Sequence, residues 1–363
     1  MTMARSVVAL SVYVLVALWW QPTVAADRIK VIDSYRSADQ LPSLSAAVWT
    51  EDALVYADAV GWSDLENKVA ASAQTVYRVG SVAKPITATA AMQLAAAAQL
   101  DLDRPVQHYC VAFPEHSSAP TTRQLLAHLG GIRHYNYRRF TEEFLSNVDY
   151  ASVNDALAVF AADPLVNEPG SEFHYSSFGY VLVGCAVEAA SGQSFGDYVD
   201  QTIAEPAGML QFQLDRAPPL ISFRARPYSR NRDGELTNSP AVNLSDRFPA
   251  GGFVATPTDL VRFGAALFEG RLLDDNSWQQ MLRQQTLADG TTIESALGWQ
   301  LTDNPDERVH GGTAVGGSAY LYLHLPSQTV VAIATNVDRW TEPRLELARK
   351  LAGRMTPKVS ALP

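Results

Sequence analysis

Only two of the 363 residues are cysteine, and only five of the 28 basic residues are lysine. Two lone cysteines make no ligand cluster, and none of the seven histidines lies four residues from another, so no metal site is expected. No basic run carries interleaved aromatics, and the net charge of −10 repels phosphate backbones, which excludes nucleic-acid binding. Charged residues are scarce at 18% while hydrophobic residues reach 47%, which excludes a disordered chain and describes a globular one with a large core. The length suggests about two domains' worth of chain.

Long apolar runs are also few. Residues 7–20 are uncharged and interrupted only by Ser11, with Arg5 before them and Pro22 and the small residues Val24-Ala25-Ala26 after. A basic start, a short apolar middle and a small-residue exit describe a secretory signal peptide over residues 1–26. A permanent anchor would need about 20 apolar residues. The mature chain, 27–363, is therefore expected in the periplasm or outside the cell, without a stable membrane anchor. Val79 to Leu100 is rich in alanine and threonine and reads as a buried helix. In an oxidising compartment Cys110 and Cys185 allow one disulfide. Cys185 lies in the apolar run Tyr180 to Val187, however, and the reading favoured here is a free thiol packed as a small hydrophobe.

Leu44 to Trp49 and Leu54 to Val60 flank Thr50-Glu51-Asp52 and read as a hairpin, with Thr75 to Val79 a third strand. Helical pattern then dominates from Ser81 to about Phe268. Thr256-Pro257-Thr258-Asp259 and Ser176-Ser177 are helix starts, and Gly192 a helix end. A second hairpin, Ala319 to Leu325 and Thr329 to Thr335, and a closing helix, Glu342 to Arg354, complete the chain. The expected fold is α+β: an antiparallel sheet built from both termini and flanked by helices, with an inserted, mainly helical region. An α/β lobe of about 27–80 and 290–363 would face a helical lobe of about 81–289, with the site in the cleft between them.

Ser81-Val82-Ala83-Lys84 is the one place where serine precedes lysine by three. Gly80 ends a strand, and Pro85 cannot sit deep in a helix, so the helix begins close to Ser81. The hydroxyl then lies at a helix N-terminus, where free N–H groups favour developing negative charge. Lys84 shares its helix face and is the only charge between Arg78 and Asp101. Burial would hold its amine neutral, and a neutral amine beside a hydroxyl is a base for it. In Pro169 to Tyr180, Tyr175 and Ser177 fall on one face of an extended lead-in to a helix. In Arg308 to Thr313, Gly311-Gly312 marks close approach of another backbone or a ligand, with His310 beside it.

Together these segments resemble the serine β-lactamases and penicillin-binding proteins, and within them the class C branch with its esterase-like and peptidase-like relatives. Asp101 to Val106, Leu125 to Ile132, and Ala250-Gly251-Gly252-Phe253 followed by Thr256 and Asp259 look like further landmarks of that family, over about residues 40 to 352. The resemblance implies Ser81 as acylated nucleophile, Lys84 as its activating lysine and Tyr175 as proton relay. It implies the N–H groups of Ser81 and Thr313 as oxyanion hole, with Ser177, His310, Gly311 and Gly312 bordering the substrate. Ser177 departs from the usual asparagine, and His310 stands where true β-lactamases have lysine. Both changes weaken the case for efficient β-lactam hydrolysis. The expected function is a serine hydrolase acting through an acyl-enzyme on a peptide, amide or ester, cell-wall peptide included, without metal or organic cofactor. A class C-type β-lactamase and a non-turnover penicillin-binding or sensing module are the alternatives, and oligomeric state stays open.

Overall fold

The computed structural model describes residues 27–353 apart from 115–117, 217–218 and 342. The expected signal peptide lies outside the described residues. After a helix over 27–38 come β1 (Ser43–Thr50) and β2 (Ala53–Asp64). Glu51 and Asp52 between them both take positive φ, 52° and 60°, as a tight two-residue hairpin demands. With β3 (Val69–Ala70) and three late strands, β9 (Glu307–Ala314), β10 (Gly317–His324) and β11 (Thr329–Thr335), they form one antiparallel sheet in the order β3-β2-β1-β11-β10-β9. The termini meet where β1 pairs with β11, Ser45 opposite Ala334.

Side chains alternate across this sheet, and both faces are buried. Ala47, Leu321, Leu323, Ala332 and Ala334 join the main core, while Val48, Tyr322, Val331 and Ile333 pack with Ile32, Leu347 and Leu351. The latter three come from the first helix and the closing helix, Arg344–Gly353. The Pro257–Phe268 helix covers the other face. Its Gly264 is required by close approach: a Cβ there would lie 2.7 Å from Val330 Cγ1. The fold is α+β, as expected.

Two helices buried on nearly every side carry Lys84 and Ser177. Ala83–Ala96 is made of alanine, threonine and aliphatic residues small enough to be enclosed, and Ser177–Ser191 packs beside it. Ser176 caps the second, accepting from Gly179 N at 2.9 Å, and Gly192 ends it in the left-handed region. Thr256 caps Pro257–Phe268 in a capping box with Asp259.

Among the helices between Ser81 and Phe268 lie short strands: β5 (Gln213–Leu214) and β8 (Phe253–Ala255) join β4 (Tyr77–Arg78) in a separate sheet of order β4-β8-β5, and β6 (Tyr228–Arg230) pairs with β7 (Leu236–Asn238). Two expectations need correction. The strand read at Thr75 to Val79 shrinks to β4, since its partner is the short β8. Cys185 is not a free thiol: it is bridged to Cys110, with their Cα atoms 5.9 Å apart. Val106 and Phe113 pack in the same core as the Ser177–Ser191 helix, and that packing brings the two sulfurs together. No helix among the described residues is long and apolar enough to cross a membrane.

Candidate active site

Val79 is hydrogen-bonded through its N–H to Phe253 C=O, and the chain then turns sharply at Gly80, whose φ is +51°. Gly80–Val82 forms a single 3₁₀ turn before the Ala83–Ala96 helix, so Pro85 is only the third residue of that helix and no N–H is missed there. The turn sets Ser81 at the mouth of the helix. One turn on, Lys84 Nζ lies 3.0 Å from Ser81 Oγ. Tyr175 donates its phenol proton to the same oxygen at 2.8 Å.

Lys84 is fully buried, and among the described residues its Nζ has three neighbours: Ser81 Oγ, Ser177 Oγ at 3.2 Å and the Ala250 carbonyl at 2.9 Å. None is a carboxylate. Desolvation alone drives the amine well below the ordinary lysine value. A neutral amine has two N–H donors and one lone pair. The Ala250 carbonyl and Ser177 take the donors, which leaves the lone pair for the Ser81 hydroxyl. The rings of Tyr175 and Tyr180 lie 4.9 and 5.4 Å from Nζ and complete the dry enclosure.

Burial pushes the Tyr175 phenol up to about 12, against the lowering effect of its bonds to Ser81 and Ser177, so the proton stays on its oxygen at neutral pH. The ring is packed by His128 at 4.4 Å and His134 at 5.4 Å. Each histidine accepts a backbone N–H through Nδ1, from Ser176 and Ser177 respectively, both at 3.2 Å. Burial keeps both neutral, His128 well below 6.5 and His134 at about 3.

The edge strand β9 presses against the Gly80–Val82 turn. A Cβ on Gly312 would lie 1.9 Å from the Val79 carbonyl and 2.9 Å from Ser81 N; one on Gly80 would lie 2.6 Å from Thr313 N. The two glycines thus let the strand and the turn come into backbone contact at Ser81 and Thr313. A cleft of about 280 Å³ opens there, bordered by Ser81, Tyr175, Ser177, Gly311 and Thr313. Its far wall is Tyr135, Phe144, Leu244 and Arg247.

Of the residues singled out from the sequence, Ser81, Tyr175, Ser177, Gly311 and Thr313 border the cleft, Lys84 is buried behind Ser81, and Gly312 packs against the Val79–Ser81 backbone. His310 does not border the cleft; it is 1% exposed, its Nδ1 sits 2.9 Å from the Gly311 carbonyl, and burial beside Lys84 lowers it to about 3. A neutral imidazole tied to its own strand supports β9 from beneath. Ser177 bonds Lys84 as well as facing the cleft. His134, Tyr135, Phe144 and Arg247 were not legible as site residues; the one signal was the aromatic-rich run Arg133 to Tyr137 after the Leu125 to Ile132 landmark. Gly192-Gln193-Ser194-Phe195-Gly196 fits the spacing of a strand-to-helix nucleophile elbow. Ser194 follows a helix, however, and merely caps Phe195–Val199, bonded to Asp197 N at 3.2 Å and Asp197 Oδ2 at 2.7 Å.

Comparison with known families agrees with this geometry. The beta-lactamase family model matches residues 29–354. The chain belongs to the beta-lactamase family. It is 31% identical over 294 residues to the human serine beta-lactamase-like protein LACTB, mitochondrial, with 63% of this chain covered. That match takes in 54% of the human protein, so the chain spans about half the length of this relative. The fold is similar to that of a penicillin binding protein from Bacillus halodurans, with TM-score 0.75, 22% identity, and 89% of this chain and 98% of that one covered. A D-stereospecific amidohydrolase from Streptomyces sp. gives TM-score 0.75 at 24% identity, over 90% and 97% of the two chains. The beta-lactamase fold family includes serine hydrolases and penicillin-binding proteins.

Proposed function

We propose that the protein is an active-site-serine acyl hydrolase that forms an acyl-enzyme at Ser81 on a peptide, amide or ester substrate. The observation that carries this reading is the pair of bonds on Ser81 Oγ, one to a buried, carboxylate-free lysine amine at 3.0 Å and one from a protonated phenol at 2.8 Å. Lys84 takes the Ser81 proton as Oγ bonds to the substrate carbonyl carbon. The N–H groups of Ser81 and Thr313 hold the resulting oxyanion. The carbon–leaving-group bond then breaks, and the departing atom takes a proton through Tyr175, which is refilled from Lys84. Water repeats the sequence to free the acid. Gly311 and Gly312 leave β9 bare for a peptide-like substrate to pair with.

The amide-cleaving neighbour supports an amide or peptide substrate. Ser177 and the buried, neutral His310 favour that class over β-lactams. The two lobes either side of the cleft are taken as about 27–80 with 290–363, and 81–289. The Cys110–Cys185 bridge supports an oxidising compartment, periplasmic or extracellular, reached through the export signal read in residues 1–26.

Hydrolysis of an activated ester tests the mechanism. Wild-type protein should turn it over and Ser81→Ala should not; undiminished turnover by Ser81→Ala would overturn the reading. Nitrocefin turnover faster than ester turnover would favour a β-lactamase instead.

A further inference from the structure

The open edge of β9 has a built end at Val309. Gln300 donates its backbone N–H to the Val309 carbonyl at 2.9 Å, and Val309 N–H returns the bond to the Gln300 carbonyl at 3.1 Å. In an antiparallel pair, a residue that exchanges both bonds with one neighbour turns both groups to that side. Val309 therefore faces away from β10, and so do Gly311 and Thr313, two and four positions on. These two are the rungs of β9 left without a strand partner on that side among the described residues, the Gly311 carbonyl also meeting His310 Nδ1 at 2.9 Å.

The direction of a bound chain follows. If Thr313 N–H holds the oxygen of the scissile carbonyl, the N–H of that same substrate residue meets the Thr313 carbonyl, which is an antiparallel pair. The first residue beyond the scissile bond then lies opposite Gly312, the second opposite Gly311 and the third opposite His310. The third place is taken. The Gln300–Val309 register carries Trp299 to the position opposite His310, and Trp299 is 1% exposed.

This strap is anchored on both sides. Gln300 also bridges Ser295, and Ala296 N–H bonds the Trp299 carbonyl at 2.9 Å. Gly298 (φ +83°) lies so close to the nucleophile helix that a Cβ would come within 2.6 Å of Ala88 Cβ and 3.3 Å of the Lys84 carbonyl. Its N–H bonds the Leu126 carbonyl at 3.3 Å. On the other side of the scissile bond the chain passes Ala314 and Val315 along the cleft wall.

We infer that the Gly298–Gln300 strap fixes the length of the leaving group: the site releases one or two residues from the C-terminal end of an acyl chain and does not cut within a longer one. The inference rests on the acyl-enzyme reading of Ser81. A ladder of esters tests it, in which benzoylglycine is joined to lactic acid whose carboxyl carries no, one, two or three alanines. Every member would leave the same benzoylglycyl adduct on Ser81, read by intact mass, and kcat/KM is measured alongside. The two shortest should react within about threefold of each other, and the two longest at least about tenfold more slowly. Gln300→Pro removes the N–H that pairs the strap to Val309 and should narrow that gap, with thermal melting reporting whether the variant is folded. Equal rates along the whole ladder would overturn the strap while leaving the acyl-enzyme intact. No adduct from any member would overturn the acyl-enzyme and this inference together. If Gln300→Pro does not fold, the wild-type ladder decides alone.

Discussion

Within hydrogen-bond reach of Lys84 Nζ are a carbonyl and two hydroxyls, and that composition governs what each residue of the site can be asked to do. A base must be uncharged to accept the Ser81 proton, so kcat/KM should rise with pH as Lys84 loses its proton, with a midpoint well below 10.5. An inflection at the ordinary lysine value would contradict the assignment. Arginine at this place stays charged, so Lys84→Arg should lower ester hydrolysis at least about 10²-fold, as should Tyr175→Phe. Steady-state rates check both, and a near-wild-type rate in either removes that residue from the relay. Ser81, Lys84 and Tyr175 were legible because their chemistry is local: three residues apart at the start of one helix, or immediately ahead of the cap of another. The wall of Tyr135, Phe144 and Arg247 was not, because its residues come from separate segments that only the fold brings together.

At the scale of elements, the Gly80–Val82 turn and β9 are held in contact by missing side chains. Gly312→Ala would set a Cβ 1.9 Å from the Val79 carbonyl, against backbone that cannot step aside. The strand must shift, Thr313 N–H moves with it, and activity should fall about 10²-fold or more, with a lowered melting temperature. A variant with wild-type rates would show that the Thr313 N–H is not used. The adjacent glycines announced such an approach in the sequence, but not which backbone approaches. The Cys110–Cys185 bridge closes 75 residues, and its reduction should lower stability by about 2–4 kcal/mol, measured by denaturation with and without reductant. The sequence reading missed this bridge because an apolar run around Cys185 suits a buried thiol and a buried disulfide equally.

Across the whole molecule, several titratable groups are folded into the interior in their neutral form. His134 and His310 fall from 6.5 to about 3, and His128 is lowered as well. Above pH 6.5 these imidazoles are neutral in folded and unfolded chains alike and contribute nothing to pH dependence. Below it the unfolded chain binds protons that the folded chain refuses, so stability should decrease steadily as pH falls from 6.5 towards about 3. Melting temperatures measured from about pH 7.5 down to about pH 5 check this, and an unchanged or rising value would contradict it. The sheet built from both chain ends was legible because each hairpin announces itself locally through alternation and a turn. The small sheet of β4, β8 and β5 was not, since strands of two or three residues carry no period. The most direct test of the central claim is mapping of the adduct left by a serine-directed acylating probe. The account predicts one modification, on the peptide carrying Ser81, lost in Ser81→Ala and slowed in Lys84→Arg; label on any other residue, or retained in Ser81→Ala, would contradict it.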